Sequence, residues 1–239
     1  MATVRLTMSQ ALTRWMTAQS IEQLDGSIEP AFAGVWAIFG HGNVAGLGEA
    51  LYGVRDQLPT YRGHNEQSMA HIAIAYAKQK QRRRMMAVTT SIGPGATNLA
   101  TAAALAHVNR LPVLLLPGDV FATRAPDPVL QQVESFADGT VSANDCLRPI
   151  SRYFDRITRP EQLLQALPKA MSVLTDPADC GPVTLGLCQD VQAEAWDYPE
   201  SFFAPRVWHM RRISSDAAEL SRAIEILKSA KRPMIVAGG

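Results

Sequence analysis

The sequence predicts an α/β protein built on a doubly wound parallel sheet, and three observations support this fold class. Short apolar runs alternate with longer amphipathic segments along the chain. The apolar runs are continuously hydrophobic, which is typical of strands that helices cover on both faces. The chain has 239 residues, of which 47% are hydrophobic, so it can bury a sizeable core. An open sheet between two layers of helices accommodates all three observations.

The first helix is predicted to begin at a capping box formed by Thr7 and Gln10 and to continue to about Ser20. Beyond it, strands and helices are expected to alternate. The runs predicted as strands lie at 35–39, 59–63, 85–91, 112–116, 149–154 and 182–188. The segments predicted as helices lie between them, at 44–53, 66–80, 96–108 and 160–175.

The last fifty residues indicate a change of organisation. After residue 191 the periodicity is lost in a stretch rich in aromatic residues and proline, which predicts a linker at 192–213. A helix is then predicted to open near Asp216, followed by KRPMIVAGG as the first strand of a further domain. One strand cannot bury a sheet, so we expect 1–191 to be the first domain and 214–239 the start of a second, truncated α/β domain in a longer protein.

Charge and cysteine content exclude several classes of protein. The net charge of +1 gives no electrostatic footprint for nucleic acid or a membrane surface. The basic run at 78–84 is interpreted as a solvated helix end, where cations interact favourably with the helix dipole. No uncharged apolar run approaches the roughly 20 residues of a membrane span. Cys146, Cys180 and Cys188 form no CxxC pair, so we expect a cytoplasmic, reducing location and no zinc site.

Three unusual loops follow predicted strands. They are FGHGNVAG at 39–46, RGHNE at 62–66 and TSIGPGATN at 90–98. Ligands of open α/β sheets bind beyond the carboxyl ends of the strands, so the three loops are expected to share one edge. The first loop only loosely approaches a dinucleotide fingerprint, and the third lacks the lysine of a phosphate-binding loop. Gly93, Pro94 and Gly95 would let backbone approach a flat ligand, but a tight turn without a ligand explains them equally well.

Glu66 opens the helix that follows the second loop. Asn65 is the predicted N-cap, and a first-turn carboxylate interacts favourably with the helix dipole by some tenths of a kcal/mol. Glu66 also lies one turn before a core-facing stripe, so its side chain is expected to point toward the mouth of the sheet. That stripe consists of Met69, Ile72, Ala73 and Tyr76. The residue is therefore both a helix-end carboxylate and a candidate acid.

The ordered motifs FGHG, HNEQSMAHIAIAYAK, TSIGPGATN and PVLLLPGD resemble the pyrimidine-binding domain of thiamine diphosphate enzymes of the acetolactate synthase and pyruvate oxidase group. The resemblance covers about residues 7–191, and the remainder resembles the start of that family's central domain. In the family, the glutamate opening the second motif's helix hydrogen-bonds the aminopyrimidine ring and exchanges a proton with it. Glu66 matches that position, which implies a catalytic role.

The resemblance also implies residues that bind the cofactor and the substrate. The cofactor-binding candidates are Glu66, Gly42, Ser91, Gly93, Pro94, Gly95 and Asn98. Weaker substrate candidates are His41, Asn43 and His64, whose polar groups suit a polyhydroxylated ring. For His41, a hydrogen bond to nearby backbone is about as good an interpretation as contact with the substrate.

The residues within and between these motifs point to one activity within the family. FGHGNVAGLGEAL, YRGHNEQSMAHIAIAYAKQ and the segment ESFADGTVSANDCLRPISRYFDRI resemble family members that hydrolyse a C–C bond of a cyclic polyol dione from inositol. Acetolactate synthases usually show Pro-Gly-Gly in the first loop and a shorter last connection. The alternatives are a 2-keto acid carboligase, oxidase or decarboxylase of the same superfamily, and a non-catalytic binding or assembly module.

Family members hold the diphosphate through Mg²⁺, which is bound by a Gly-Asp-Gly motif and a later asparagine. Gly118 and Asp119 form the only Gly-Asp pair here and lack that continuation, so no metal ligand is expected in this chain. The Mg²⁺ ligands are expected in a C-terminal part beyond it. Family members also build each active site between two subunits. We therefore expect a homodimer or homotetramer, and no turnover by the 239-residue chain alone.

Overall fold

The computed structural model describes residues 2–126, 129–133, 135 and 137–236. In chain order, the helices and strands are β1 (Thr3–Thr7), α1 (Met8–Thr17), β2 (Gln19–Glu22), β3 (Ile28–Pro30), β4 (Phe32–Ala37), α2 (Glu49–Gly53), β5 (Thr60–Arg62), α3 (Glu66–Gln79), β6 (Met85–Thr90), α4 (Pro94–Thr97), α5 (Ala100–Asn109), β7 (Val113–Asp119), β8 (Tyr153–Ile157), α6 (Leu163–Leu174), β9 (Pro182–Cys188), β10 (Ala195–Pro199), β11 (Arg206–Trp208) and α7 (Ala217–Ser229). A π-helical turn spans Val44–Gly48, and 3₁₀ turns span Ala143–Ile150, Pro160–Gln162, Val191–Ala193 and Glu200–Phe203.

Six strands form the central sheet in the order β5-β4-β6-β7-β9-β8, and each neighbouring pair is parallel. Every residue of β6, β7 and β9 is buried. Ala87 and Leu114 pack on the face covered by α1, α2 and α6, whereas Val88 and Leu115 pack on the face covered by α3 and α5. The predicted doubly wound parallel sheet is confirmed. All six strands therefore end at one edge, where ligands of such sheets bind.

The first helix confirms the predicted capping box. Thr7 Oγ1 accepts a hydrogen bond from the Gln10 backbone N–H at 3.2 Å, and Gln10 Oε1 accepts from the Thr7 N–H at 3.0 Å. The helix ends at Thr17 rather than near Ser20, because β2 begins two residues later.

Two predicted elements are displaced. The strand predicted at 149–154 lies instead at β8, because Ser142 and Asp145 cap a 3₁₀ turn that continues through Pro149. The helix predicted at 96–108 begins earlier, at Pro94, and is interrupted between α4 and α5. The joint contains Asn98 and Leu99, whose backbone angles stay in the right-handed helical region.

The segment predicted as a linker, 192–213, carries two strands that pack on the first domain. Strand β10 pairs antiparallel with β1, and β11 pairs parallel with β2. Tyr198 is fully buried, and its hydroxyl donates to the Pro160 carbonyl at 3.0 Å. Half of the residues in these two short strands are exposed and only Tyr198 is buried, so the strands leave no hydrophobic periodicity in the sequence.

The C-terminal helix α7 begins at the Asp216 cap, and all of its residues are exposed. Residues 231–236 form no strand, and 237–239, the rest of the predicted strand, lie outside the described residues. Among the helices that the structure describes, none is both long and apolar enough to cross a membrane.

Candidate functional site

The first and third loops are in direct contact at the carboxyl edge of the sheet. A side-chain Cβ on Gly40 would lie 3.0 Å from Ser91 Cβ, and one on Gly42 would lie 2.6 Å from Ile92 Cγ2. Gly42 has a φ of +109°, which a residue with a side chain rarely adopts. The Ile92 N–H donates to the His41 carbonyl at 3.3 Å. Glycine is therefore required in the first loop by close packing.

Glu66 is the first residue of α3 and is half-buried. The neighbouring Asn65 caps the helix, because its Oδ1 accepts from the Ser68 N–H at 2.9 Å. The carboxylate of Glu66 accepts through Oε2 from Asn98 Nδ2 at 2.8 Å. Asn65 satisfies the helix end, so the Glu66 carboxylate remains directed at the site.

The other oxygen of Glu66 faces the third loop. A Cβ on Gly95 would lie 3.2 Å from Glu66 Oε1 and in closer contact still with Ser91 Oγ. Among the described residues, no side chain or backbone group donates a hydrogen bond to Oε1. Glu66 Oε1 thus lies beside Gly95, which has no side chain. The space left next to this oxygen suits the polar edge of a flat ring.

A chain segment that the motifs did not indicate lies against Gly93. This glycine has a φ of +62°, and a Cβ on it would overlap the Gln131 carbonyl oxygen. Residues 129–133 therefore lie over the start of the third loop. A glycine at this position in the sequence indicates that another part of the chain can pack close to the backbone, but the sequence does not show which segment does so.

The substrate candidates occupy three different environments. Asn43 is fully buried, and its Nδ2 donates to Thr89 Oγ1 at 2.6 Å and to the Thr90 carbonyl at 2.7 Å. It ties the first loop to β6 and does not offer its amide nitrogen at an open mouth. His64 is exposed, whereas His41 is half-buried with a buried Nε2 that has no partner within the described chain. Two of the three therefore have an unused buried polar atom within the described chain: His41 at Nε2 and Asn43 at Oδ1.

Gln192 fixes the first loop and was not predicted from the sequence. Its Nε2 donates to the Gly42 carbonyl at 2.9 Å and to the Leu187 carbonyl at 3.2 Å, and its Oε1 accepts from the Leu47 N–H at 3.2 Å. The residue is buried in the 3₁₀ turn Val191–Ala193, which follows β9. A lone glutamine after a strand carries no distinctive pattern, so its role depends on a contact between residues 150 positions apart.

The Gly-Asp pair at the end of β7 belongs to an ion cluster. Arg156 Nε donates to the buried Asp119 Oδ2 at 2.8 Å, and its Nη2 donates to Asp145 Oδ2 at 3.1 Å and to Ser142 Oγ at 2.7 Å. Burial opposes ionisation of Asp145, but hydrogen bonds from the Ser142 N–H, Arg148 and Arg156 outweigh it and hold the pKa of Asp145 below its usual range. Asp119 is thus engaged by an arginine. No group of three or more His, Cys, Asp or Glu side chains with metal-binding geometry occurs in the described part of the chain.

Comparison with known proteins gives one family and a set of close relatives. Residues 33–138 match the family described as thiamine pyrophosphate enzyme, N-terminal TPP binding domain. Over all 239 residues the chain is 53% identical to a 3D-(3,5/4)-trihydroxycyclohexane-1,2-dione hydrolase of Geobacillus thermodenitrificans (strain NG80-2). It is 52% identical to hydrolases of the same name from Bacillus anthracis and Bacillus thuringiensis (strain Al Hakam). The chain spans 37% of the length of each of these relatives.

Proposed function

We propose, from the match of residues 33–138 to the N-terminal TPP binding domain of thiamine pyrophosphate enzymes, that the chain supplies the pyrimidine-binding part of a C–C bond hydrolase. The observation that carries the proposal is the Glu66 carboxylate, which is held through Oε2 and open at Oε1 between the second and third loops. The proposed substrate is trihydroxycyclohexane-1,2-dione, which appears in the names of relatives 52–53% identical over the whole chain. The proposed product is the ring-opened 5-deoxy-glucuronic acid.

The residues at this edge fit the pyrimidine end of thiamine diphosphate (thiamine pyrophosphate). Bound there, the cofactor would supply an electron sink for cleaving a bond beside a carbonyl group. Glu66 Oε1 would hold a ring nitrogen and exchange a proton with it, as a general acid and base. The third loop would line the ring with Ser91, Gly93, Pro94 and Gly95, and Gly42 would keep the first loop against them. The tight glycine contacts would exclude water from the face of the ring.

The proposal also covers the metal ion and the oligomeric state, both of which involve residues outside this chain. We propose that Mg²⁺ and the diphosphate are held by residues outside the 239, because Asp119 is occupied by Arg156. We also propose a cytoplasmic homodimer or homotetramer in which each site lies between two subunits. On this proposal the 239-residue chain alone does not turn over substrate.

Replacement of Glu66 tests the central step. In the longer protein that contains this chain on our proposal, Glu66→Gln keeps the size and an acceptor for Asn98 but removes the exchangeable acid proton. Ring opening, measured as consumption of the cyclic dione, is expected to fall by about 10²- to 10⁴-fold. Glu49→Gln is the matched control, since Glu49 is an exposed first-turn glutamate of α2, and it should leave turnover unchanged. Near-normal turnover by Glu66→Gln would reject the proposal.

A substrate comparison tests the reaction independently of the cofactor. The same protein is incubated with the cyclic dione and, separately, with pyruvate. We expect consumption of the dione without release of CO₂. Consumption of pyruvate with CO₂ release would instead identify a 2-keto acid enzyme and would reject the proposed substrate, while leaving the role of Glu66 intact.

A further inference from the structure

Asn98 contacts Glu66 directly, and we propose that Asn98 is a positioning residue that determines which Glu66 oxygen exchanges the proton. The inference rests on the proposed function, because it assumes that Glu66 is the acid. It changes the role expected for Asn98, which the family resemblance implies to be a cofactor ligand. The new element is that Asn98 acts through Glu66.

Because of the hydrogen bond from Asn98, the two carboxylate oxygens of Glu66 lie in different environments. Asn98 Nδ2 lies 2.8 Å from Oε2, whereas Oε1 lies beside Gly95 and receives no hydrogen bond from the described residues. The amide nitrogen of asparagine only donates hydrogen bonds. Oε2 must therefore remain an acceptor whether Glu66 is ionised or protonated, and the proton is directed to Oε1.

The same bond fixes the orientation of the carboxylate. The terminal torsion of a glutamate side chain is broad, so an unrestrained carboxylate would present either oxygen to a ligand. Glu66 is half-buried, and a charge-assisted hydrogen bond in such a place is stronger than one between neutral groups. Asn98 thereby removes the rotational freedom that would otherwise compete with proton exchange.

Backbone hydrogen bonds and a buried neighbour hold Asn98 in place at the joint between α4 and α5. Its backbone N–H donates to the Pro94 carbonyl at 3.2 Å, and the next residue, Leu99, is fully buried and bonded to the Ala96 carbonyl at 3.1 Å. The joint is thus anchored on both sides of Asn98.

The test is a double-mutant cycle in the full-length protein, with Asn98→Ala, Glu66→Gln and the two together. Two quantities are measured: the cofactor dissociation constant, by equilibrium dialysis, and the rate at which the cofactor's thiazolium C–H exchanges for deuterium, by NMR. Asn98→Ala is expected to slow exchange about 10- to 100-fold, the size of one hydrogen bond to a charged group, and to change the dissociation constant less than about threefold. In the Glu66→Gln background, Asn98→Ala is expected to add no further loss of exchange.

The outcomes separate this inference from the proposed function. If Asn98→Ala weakens cofactor binding equally in both backgrounds, Asn98 contacts the cofactor itself and the inference is wrong. If Glu66→Gln slows exchange and Asn98→Ala does not, the inference also fails but the proposed function stands. If Glu66→Gln exchanges normally, the proposed function fails first.

Two further variants guard against a purely structural effect. Asn109→Ala removes a matched asparagine, which donates to the Leu105 carbonyl at 2.8 Å on the exposed end of α5, and should leave both quantities unchanged. Asn98→Asp keeps the volume but replaces the donor with a second carboxylate. We expect it to slow exchange at least as much as Asn98→Ala while the thermal unfolding midpoint stays close to that of the parent; a normal exchange rate would overturn the inference.

Discussion

Glu66 owes its orientation to two asparagines at very different distances along the chain. The adjacent residue, Asn65, caps α3, so the Glu66 carboxylate does not. The sequence predicts this cap because a capping residue lies next to the helix end. Asn98 lies 32 residues away, and its bond to Glu66 exists because the strands that precede the two residues, β5 and β6, lie on either side of β4 in the parallel sheet. The carboxylate at the sheet edge was therefore predictable, whereas the partner that orients it was not.

Gly95 provides a prediction at the same scale. In Gly95→Ala, the new Cβ would lie 3.2 Å from Glu66 Oε1 and would overlap Ser91 Oγ. Because the space beside Oε1 is lost, the affinity for thiamine diphosphate is expected to fall at least about tenfold, equivalent to about 1.4 kcal/mol. Equilibrium dialysis of the full-length protein measures this loss.

Gly53→Ala serves as the control for that substitution. Gly53 ends α2, and a Cβ there meets no atom within 4 Å. The affinity should be unchanged, and the unfolding free energy should be equal or higher, since alanine loses less entropy than glycine in a helix. Equal affinities for the parent and Gly95→Ala would show that the space beside Oε1 is not part of the cofactor site.

Among the elements, those with continuous apolar runs were predicted to within a few residues. Strand β9 has the predicted bounds, Pro182–Cys188, because a fully buried strand shows its length directly in its composition. Strand β8 was predicted too early because its buried signal is weak: four of its five residues are half-buried. It is held by backbone pairing with β9 and by Arg156, which contacts Asp119 and Asp145 on other segments. Ion pairs of this kind leave no periodic pattern in the sequence.

The Arg156 cluster predicts a pH-dependent stability. Folding lowers the pKa of Asp145, so the stability contributed by this carboxylate is fully present above the unfolded value of about 3.9 and is lost as the pH falls through the lower folded pKa. Urea unfolding of the chain between pH 6 and the acid limit of folding is expected to show this loss. Asp145→Asn should reduce the unfolding free energy at pH 7 by about 1–3 kcal/mol and should show a smaller loss on acidification.

An exposed ion pair gives the comparison for this cluster. Asp197→Asn removes the pair between Arg5 and Asp197, whose side chains are 66% and 57% exposed. Its unfolding free energy should change by less than about 0.5 kcal/mol. If Asp145→Asn and Asp197→Asn behave alike at pH 7, the cluster does not stabilise the fold in the way its geometry indicates.

At the scale of the whole molecule, part of the segment predicted as a linker packs on the core formed by the residues before it. Tyr198 and Phe203 are buried against the core that also contains Trp15, although both lie in the predicted linker. Tyr198 lies in β10 and Phe203 in the 3₁₀ turn that follows it, between two short strands that pair with β1 and β2 near the start of the chain. Hydrophobic periodicity within a short stretch of sequence does not show contacts between residues that are so far apart along the chain.

Truncation tests this organisation. A chain ending at residue 194 loses Tyr198 and Phe203, each worth about 1.5–3 kcal/mol of burial, so its urea unfolding midpoint should fall sharply. A chain ending at residue 212 loses only α7 and the residues around it, among which every described residue is exposed, so its midpoint should match that of the full 239 residues. Equal midpoints for the two truncations would show that 195–208 does not belong to the first domain.

The three residues of the edge strand β5 are exposed, and among the described strands β5 pairs with β4 alone; a three-residue loop then connects it to Glu66. Its backbone amides should therefore exchange with solvent through small local openings, far faster than those of the central strand β6. A ligand that engages Glu66 would draw the strand and its loop into a more protected state. Slower amide exchange at 60–65, with no change in β6, would then report occupancy of the site without any measurement of turnover.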